Sequence, residues 1–179
     1  MPRPALIVVD VQERLFAAMD PERRDLMIAN LKILATAARR LGHPVVMTEQ
    51  YPNGLGHTLP ELRSLLDGVD PVEKTAFSCG GVPSFVERLQ ALDAGPVILA
   101  GVEAHVCVLL TALDLIAAGF SVSIVADAVC SRRRENLDLG LAQARQAGVV
   151  VTSTETLVFH WLGRSDTDAF REMAKLFKE

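Results

Sequence analysis

The chain has 179 residues, half of them hydrophobic, and a formal net charge of −4, with a mean hydropathy of +0.27. That length suits a single domain over 1–179 built on one core, and the apolar fraction suits a parallel sheet covered on both faces, with a buried subunit interface as a further use for it. No apolar run approaches the roughly 18 residues that span a bilayer, and no long basic stretch marks a nucleic-acid surface.

The opening, MPRPALIVVDVQ, enters a strand at once, without the separate hydrophobic segment and cleavage site of a signal peptide. Ala5 to Val9 is an apolar run of strand length that ends on Asp10. After a turn at Asp20-Pro21, Glu22 to Leu41 reads as a long amphipathic helix. Leu26, Ala29, Ile33, Ala37 and Leu41 form its apolar stripe, and Gly42 stops it. Pro44 to Thr48 is a second buried strand. Glu49 to Thr58, EQYPNGLGHT, reads as a loop. Glu61 to Leu66 suits a short helix, Val72 to Lys74 a brief strand, and Val82 to Leu92 a helix with Pro83 in its first turn.

Val97 to Ala100 is the next buried strand. Val106 to Ala118 is apolar on almost every side, so the helix it forms is expected to be buried, with Gly119 as its stop. Ser121 to Ala126 is a strand ending on Asp127. Asn136 to Ala147 is a helix stopped by Gly148, and Val149 to Thr152 is the last strand. Glu155 to Leu162 and Asp168 to Lys178 close the chain as helices. This alternation predicts an α/β fold: a three-layer, doubly wound, Rossmann-like parallel sheet of order 3-2-1-4-5-6 with helices on both faces. Neither G-x-G-x-x-G nor a Walker motif is present, so a nucleotide-binding version is not expected.

In such sheets the ligand site lies beyond the carboxyl ends of the strands, near the switch in strand order. There the sequence sets Asp10, Thr48-Glu49, Lys74, the Gly101–Cys107 turn and Asp127. Cys107 falls in the first turn of a buried helix, where free N–H groups and the positive end of the helix dipole favour a thiolate and supply donors for an oxyanion. With Asp10 and Lys74 it makes a plausible nucleophile apparatus. Asp10 would accept the thiol proton; Lys74 would keep Asp10 ionised and lower the thiol pKa. Each residue also has a plain use: core hydrophobe for Cys107, turn residue for Asp10, solvated loop lysine for Lys74. Spacing alone does not make the three converge. Cys79, Cys107 and Cys130 cannot all pair, and no C-x-x-C occurs. Reduced thiols and a cytoplasmic setting follow as the simplest account.

Five segments, LIVVDVQERLF, TEQYPNGLGHTLPEL, EKTAFS, GVEAHVCVLLTALDL and VADAVCSR, together resemble the isochorismatase-like cysteine hydrolase family. The resemblance covers nearly the whole chain, in the same order. TEQYPNGLGHT is similar in particular to isochorismatase-domain-containing hydrolases of unassigned substrate. The resemblance implies a catalytic triad of Asp10, Lys74 and Cys107, and a cis peptide between Val102 and Glu103 in the turn before the cysteine. It also implies an oxyanion hole made by the backbone N–H groups of Glu103 and Cys107. Metal-binding nicotinamidases of this superfamily carry Asp-x-His after the second strand. Here that region reads Glu49-Gln50-Tyr51, with His57 alone further on. No zinc and no cofactor are therefore expected, and nicotinamide is disfavoured as substrate. Isochorismatases that cleave vinyl ethers lack the cysteine, so Cys107 points to acyl chemistry on a small amide-like substrate through a thioester.

Two other functions stay open on the sequence. One is a non-catalytic oligomeric protein that binds a ligand or partner and carries a relic triad; the other is metal-dependent hydrolysis. Phe16, Tyr51 and Phe77 either wall a small apolar pocket or are ordinary core. His105 contacts either substrate or the surface. Arg132-Arg133-Arg134 reads as a solvated loop or an interface patch rather than an anion site. A symmetric homo-oligomer is expected, with dimer and tetramer equally admissible; neither nucleic acid nor membrane is expected as a partner.

Overall fold

The structure, a computed structural model, describes residues 3–178. Its strands are β1 (Arg3–Val9), β2 (Val45–Gln50), β3 (Val72–Lys74), β4 (Ala94–Val102), β5 (Val122–Cys130) and β6 (Val150–Thr152). They form one sheet in the order β3-β2-β1-β4-β5-β6, with every neighbouring pair parallel. This is the doubly wound order expected from the alternation of strands and helices.

β1 explains why its sequence is apolar at successive positions. Ala5, Ile7 and Val9 pack into one core, while Leu6 and Val8 pack into the other. A strand covered on both faces has no polar side to show. The first core is closed by α5 (Pro83–Ala91), α6 (Leu109–Ala117) and α7 (Arg134–Gln146). The second is closed by α2 (Pro21–Leu41) and α8 (Thr154–Leu162). Shorter helices complete the order: α1 (Glu13–Ala18), α3 (Pro52–Leu55), α4 (Pro60–Leu65) and α9 (Asp168–Met173). Among the described residues no helix is long and apolar enough to cross a membrane.

α2 begins where Asp20 accepts hydrogen bonds from the backbone N–H groups of Glu22 (3.1 Å) and Arg23 (3.3 Å), with Pro21 at its first position. Its buried stripe is Met27, Ile28, Leu31, Leu34, Ala35, Ala37 and Ala38; of the expected row Ala37 is buried and Ile33 packs against the same core, while Leu26 is 46% exposed and Ala29 is exposed too. Two apolar rows run side by side on this helix. Packing against β5 and α8 selects between them, which periodicity alone does not.

Other boundaries also shift. The segment expected as loop from Glu49 carries β2 on to Gln50 and then the single turn of α3. α1 forms where only a path to the Asp20 turn was expected. β5 runs past Asp127 to Cys130. The closing helix divides into α9 and a 3-10 turn, Ala174–Phe177. The helix expected from Val106 begins earlier, with a π-helical turn over Ala104–Val108 that runs into α6.

One glycine sets the distance between the two strands that matter most. Val9 of β1 pairs with Gly101 of β4. Gly101 has φ +115°, and a Cβ there would lie 2.1 Å from the Val9 carbonyl oxygen. Only glycine permits this approach. It brings Asp10, the residue after Val9, against the turn that leads from Val102 to Cys107.

Candidate active site

Asp10 stands just past β1 with φ +51°, a left-handed conformation that aspartate tolerates better than most residues. Its side chain is fully buried, and both carboxylate oxygens are engaged. Oδ1 accepts from Thr48 Oγ1 at 2.6 Å. Oδ2 accepts from Lys74 Nζ at 2.7 Å.

Lys74 ends β3 and is also buried. Besides Asp10, its ammonium donates to Gln50 Oε1 at 2.7 Å. The carbonyl oxygens of Ala76 and Phe77 lie at 3.2 and 3.1 Å. Burial pulls the Lys74 pKa down, but the Asp10 carboxylate, with Cys79 and Cys107 beside it, outweighs burial and raises the pKa above the usual lysine range. Gln50 is itself clamped by Gln12, whose Oε1 accepts from Gln50 N at 2.7 Å and whose Nε2 donates to Gln50 O at 3.0 Å. The same Nε2 donates to Gly56 O at 2.7 Å. Three strand ends are thus tied by side chains into one polar cluster.

Cys107 lies in the π-helical turn, 6% exposed, near enough to Asp10 and Lys74 for both charges to act on its thiol. Here the structure corrects an expectation. The thiol is not pushed toward thiolate; its pKa is pushed up to about 12. Burial is the larger cause and the Asp10 carboxylate the next, while the Lys74 ammonium acts the other way and is outweighed. The cation faces the carboxylate, so little of its field is left over for the sulfur.

The Val102–Glu103 peptide is cis. The Glu103 carboxylate, nearly buried, accepts from Arg132 N at 3.0 Å and from Arg132 Nε at 3.1 Å. Arg132, although its side chain is 62% exposed as expected of a solvated loop, therefore also ties the end of β5 to the turn before the cysteine. Cys79 was unassigned by sequence. It is fully buried, with Sγ 3.9 Å from Thr48 Oγ1 and N–H donating to Thr111 Oγ1 at 2.8 Å. Its charge state couples to Asp10, Lys74 and Cys107 alike. The one hint in the sequence was its position five residues after Lys74 in EKTAFSC.

The four residues offered as substrate contacts scatter. Tyr51, 55% exposed, lines a cleft of about 470 Å³ with Asn53, Lys74, Ala76 and Val82. Phe77, next in sequence to Ala76 of that cleft, is 59% exposed, and its carbonyl oxygen accepts from Lys74 Nζ. Phe16 packs into the α2 side of the sheet, the layer opposite Cys107, with the Arg24 guanidinium 5.3 Å from its ring centre. His105 is half-buried, its Nδ1 2.9 Å from Ser131 Oγ. Its Cα backs onto Gly140, where a Cβ would come within 2.8 Å of it.

The remaining strand-end carboxylates have structural partners. Glu49 Oε1 accepts from Thr58 N at 2.7 Å and Oγ1 at 2.8 Å, and Oε2 lies 3.1 Å from His57 Nδ1. Burial pushes its pKa up, but these bonds outweigh burial and hold it below the usual range. Asp127 Oδ1 accepts from Thr154 N and Thr154 Oγ1, both at 2.8 Å, at the start of α8. Among the described residues no group of three or more His, Cys, Asp or Glu is gathered to hold a metal ion.

Sheet order, switch point and the buried Asp10–Lys74–Cys107 cluster define a doubly wound α/β protein of the isochorismatase-like hydrolase fold. The isochorismatase domain matches residues 4–156, and the chain belongs to that family. Human isochorismatase domain-containing protein 2 is 38% identical over 180 residues, spanning 97% of this chain and 82% of the human protein. A solved structure from Caenorhabditis elegans, described as MAR1 ribonuclease, is 38% identical with a TM-score of 0.90, covering 97% of this chain and 88% of that one. The YcaC gene product of Escherichia coli, described as an octameric hydrolase of unknown specificity, has a TM-score of 0.90 at 24% identity, over 98% and 86% of the two chains.

Proposed function

We propose that the chain is a cysteine-nucleophile hydrolase acting on a small amide or related acyl compound. The observation that carries the reading is the fully buried Asp10–Lys74 ion pair, 2.7 Å long, whose charges both act on the buried Cys107 thiol. A thiol with a pKa near 12 does not ionise in advance. Asp10 therefore takes the proton as the sulfur bonds to the substrate carbonyl carbon, and the backbone N–H groups of Glu103 and Cys107 receive the oxyanion. Asp10 then passes that proton to the leaving amine as the C–N bond breaks, which leaves a thioester on Cys107. Water, deprotonated by Asp10, attacks the thioester; the acid departs and the thiol is restored. Lys74, with four acceptors around it, keeps Asp10 ionised and oriented and moves no proton itself.

A net charge of −4 and a buried thiol suit a small neutral substrate better than a polyanion, so the ribonuclease description of the nematode protein is not extended to this chain. We take it to form a homo-oligomer, as the octameric bacterial relative does, and to reside in the cytoplasm with its three free cysteines reduced.

One observation favours a second reading, a binding protein with a relic triad: Cys107 is 6% exposed and its thiol strongly protonated. Reaction with p-nitrophenyl acetate near neutral pH separates the two. A hydrolase gives a burst of p-nitrophenol and an acetyl group on the Cys107 peptide, both lost in Cys107→Ala while the fold persists. No burst, or a burst that survives Cys107→Ala, would overturn the nucleophile assignment and leave the binding protein.

A further inference from the structure

At the opposite end of the sheet from Asp10, where β1, β4 and β5 begin, a cavity of about 460 Å³ lies between the strand ends and α8. Ile98, Leu157 and Trp161 give it apolar walls, with Ser123, His160 and His43 as its polar members. None of these residues belongs to the cluster around Cys107. His43 is the exceptional one. Both of its ring nitrogens are buried, and neither finds a hydrogen-bond partner in the protein. Its ring leans on Trp161, with centroids 4.8 Å apart and planes at 54°. Burial, followed by the nearby Arg3 charge, lowers its pKa, so the ring is a neutral imidazole with one N–H and one lone pair to satisfy. Buried polar groups in native proteins are seldom left so. The cavity's size and its mix of apolar wall with few polar groups are those of a small-molecule site.

We propose that this cavity binds a small planar ring bearing one hydroxyl, a phenol or hydroxylated heteroaromatic, stacked against Trp161 with its hydroxyl hydrogen-bonded to His43. The hydroxyl both donates and accepts, so it serves either tautomer of the imidazole. His43 forms part of the cavity wall, so a ligand held there lies beside the ring whose nitrogens have no partner. Aromatic stacking supplies the orientation.

Trp161 is the chain's only tryptophan, so its emission reports this cavity alone. The probes are p-cresol and p-xylene, which share a shape and differ by the hydroxyl. The full-length protein is expected to show saturable quenching by p-cresol, with p-xylene weaker by about fivefold to tenfold, the range of one net hydrogen bond. In His43→Leu the two probes should bind alike. Absence of saturable quenching by p-cresol overturns the site. Equal affinity of the wild type for both probes, or a preference that survives in His43→Leu, overturns the role of His43. The wild-type comparison stands even if the variant fails to fold.

Discussion

At the carboxyl edge of the sheet, Asp10 holds Thr48 and Lys74, and Lys74 in turn holds Gln50 and two carbonyl oxygens. At the amino edge, both nitrogens of His43 are buried without a partner. The two regions share one sheet, yet one holds fully buried charges and the other a partly buried ring whose nitrogens have no partner. The difference lies in where partners can come from. Three strand ends converge beyond β1, β2 and β3, so side chains from separate parts of the sequence meet there. At the other edge the polar groups are few, and the remaining walls are apolar. Polar-to-apolar replacement should accordingly carry opposite signs at the two ends.

The largest effect is expected at the carboxyl edge. Lys74→Met leaves the Asp10 carboxylate buried and unpaired, which should cost about 3–5 kcal/mol of stability in a denaturant titration. A loss under about 1 kcal/mol would mean that Asp10 takes up a proton or finds water, and that the ion pair is not what holds this edge together. Next comes Gly101→Ala. Its Cβ would sit 2.1 Å from the Val9 carbonyl oxygen at a φ of +115°, so β1 and β4 must part. A loss of about 3 kcal/mol or more is expected from clash and strain together, and it should fall on the Cys107 side of the molecule first.

Asp10→Asn separates the acidity of the thiol from its usefulness. Asp10 raises the Cys107 pKa by charge and by hydrogen bonding, while Lys74 lowers it. Removing the carboxylate charge should therefore drop the thiol pKa and speed iodoacetamide labelling of Cys107 at alkaline pH by about tenfold, one unit of pKa. Acylation by p-nitrophenyl acetate near neutral pH should nevertheless be lost, because the base is gone. If labelling slows instead, the Asp10 carboxylate promotes ionisation of the sulfur rather than opposing it, contrary to its charge effect.

Much of this edge was legible in the sequence because parallel sheets expose their strand ends in a known order. Asp10 follows an apolar run of strand length, Lys74 closes the short strand Val72–Lys74, and the order 3-2-1-4-5-6 brings the ends of β1 and β4 together. What stayed hidden depends on distance rather than order. The sign of the Cys107 shift turns on how deeply the thiol is buried and how fully Lys74 is occupied by Asp10. A lone Cys79 in a loop reads like any other small residue, although it borders the same cluster. Gln12 and Gln50 bind each other's backbone and side chain across two strand ends, which no local pattern announces. Arg132 reads as one of three charges in a row until Glu103 is placed against it. On α2 the two apolar rows are equivalent in sequence, and only the neighbouring α8 and β5 choose between them.

At the amino edge the sign should reverse. His43→Leu replaces a bare imidazole with a side chain that asks for no hydrogen bond, and a gain of about 1 kcal/mol is expected despite the lost contact with Trp161. A substitution that stabilises while abolishing the p-cresol preference would mark His43 as a residue kept at the expense of stability. A loss of stability would mean that the ring earns its place by packing alone.

The smallest effect is also the one that tests whether the imidazole is neutral. The folded pKa of His43 lies below the ordinary value of 6.5, so as pH falls the unfolded chain takes up the proton first. The stability tied to this group is full above 6.5 and is lost as pH falls from there through the folded pKa. Arg3 raises the penalty for charging the ring. Glu49 acts on the same side but later, since its folded pKa lies below 4.5 and its contribution fades only beneath that value. Between 6.5 and 4.5 the wild-type Tm should therefore decline by a few degrees while that of His43→Leu stays flat. Saturating p-cresol should deepen the wild-type decline, because a hydroxyl bound to the neutral ring adds to the cost of protonating it. Parallel curves in the two proteins would assign the decline to another group and mean that His43 takes up its proton in the folded chain as readily as in the unfolded one, so that its surroundings do not hold it neutral.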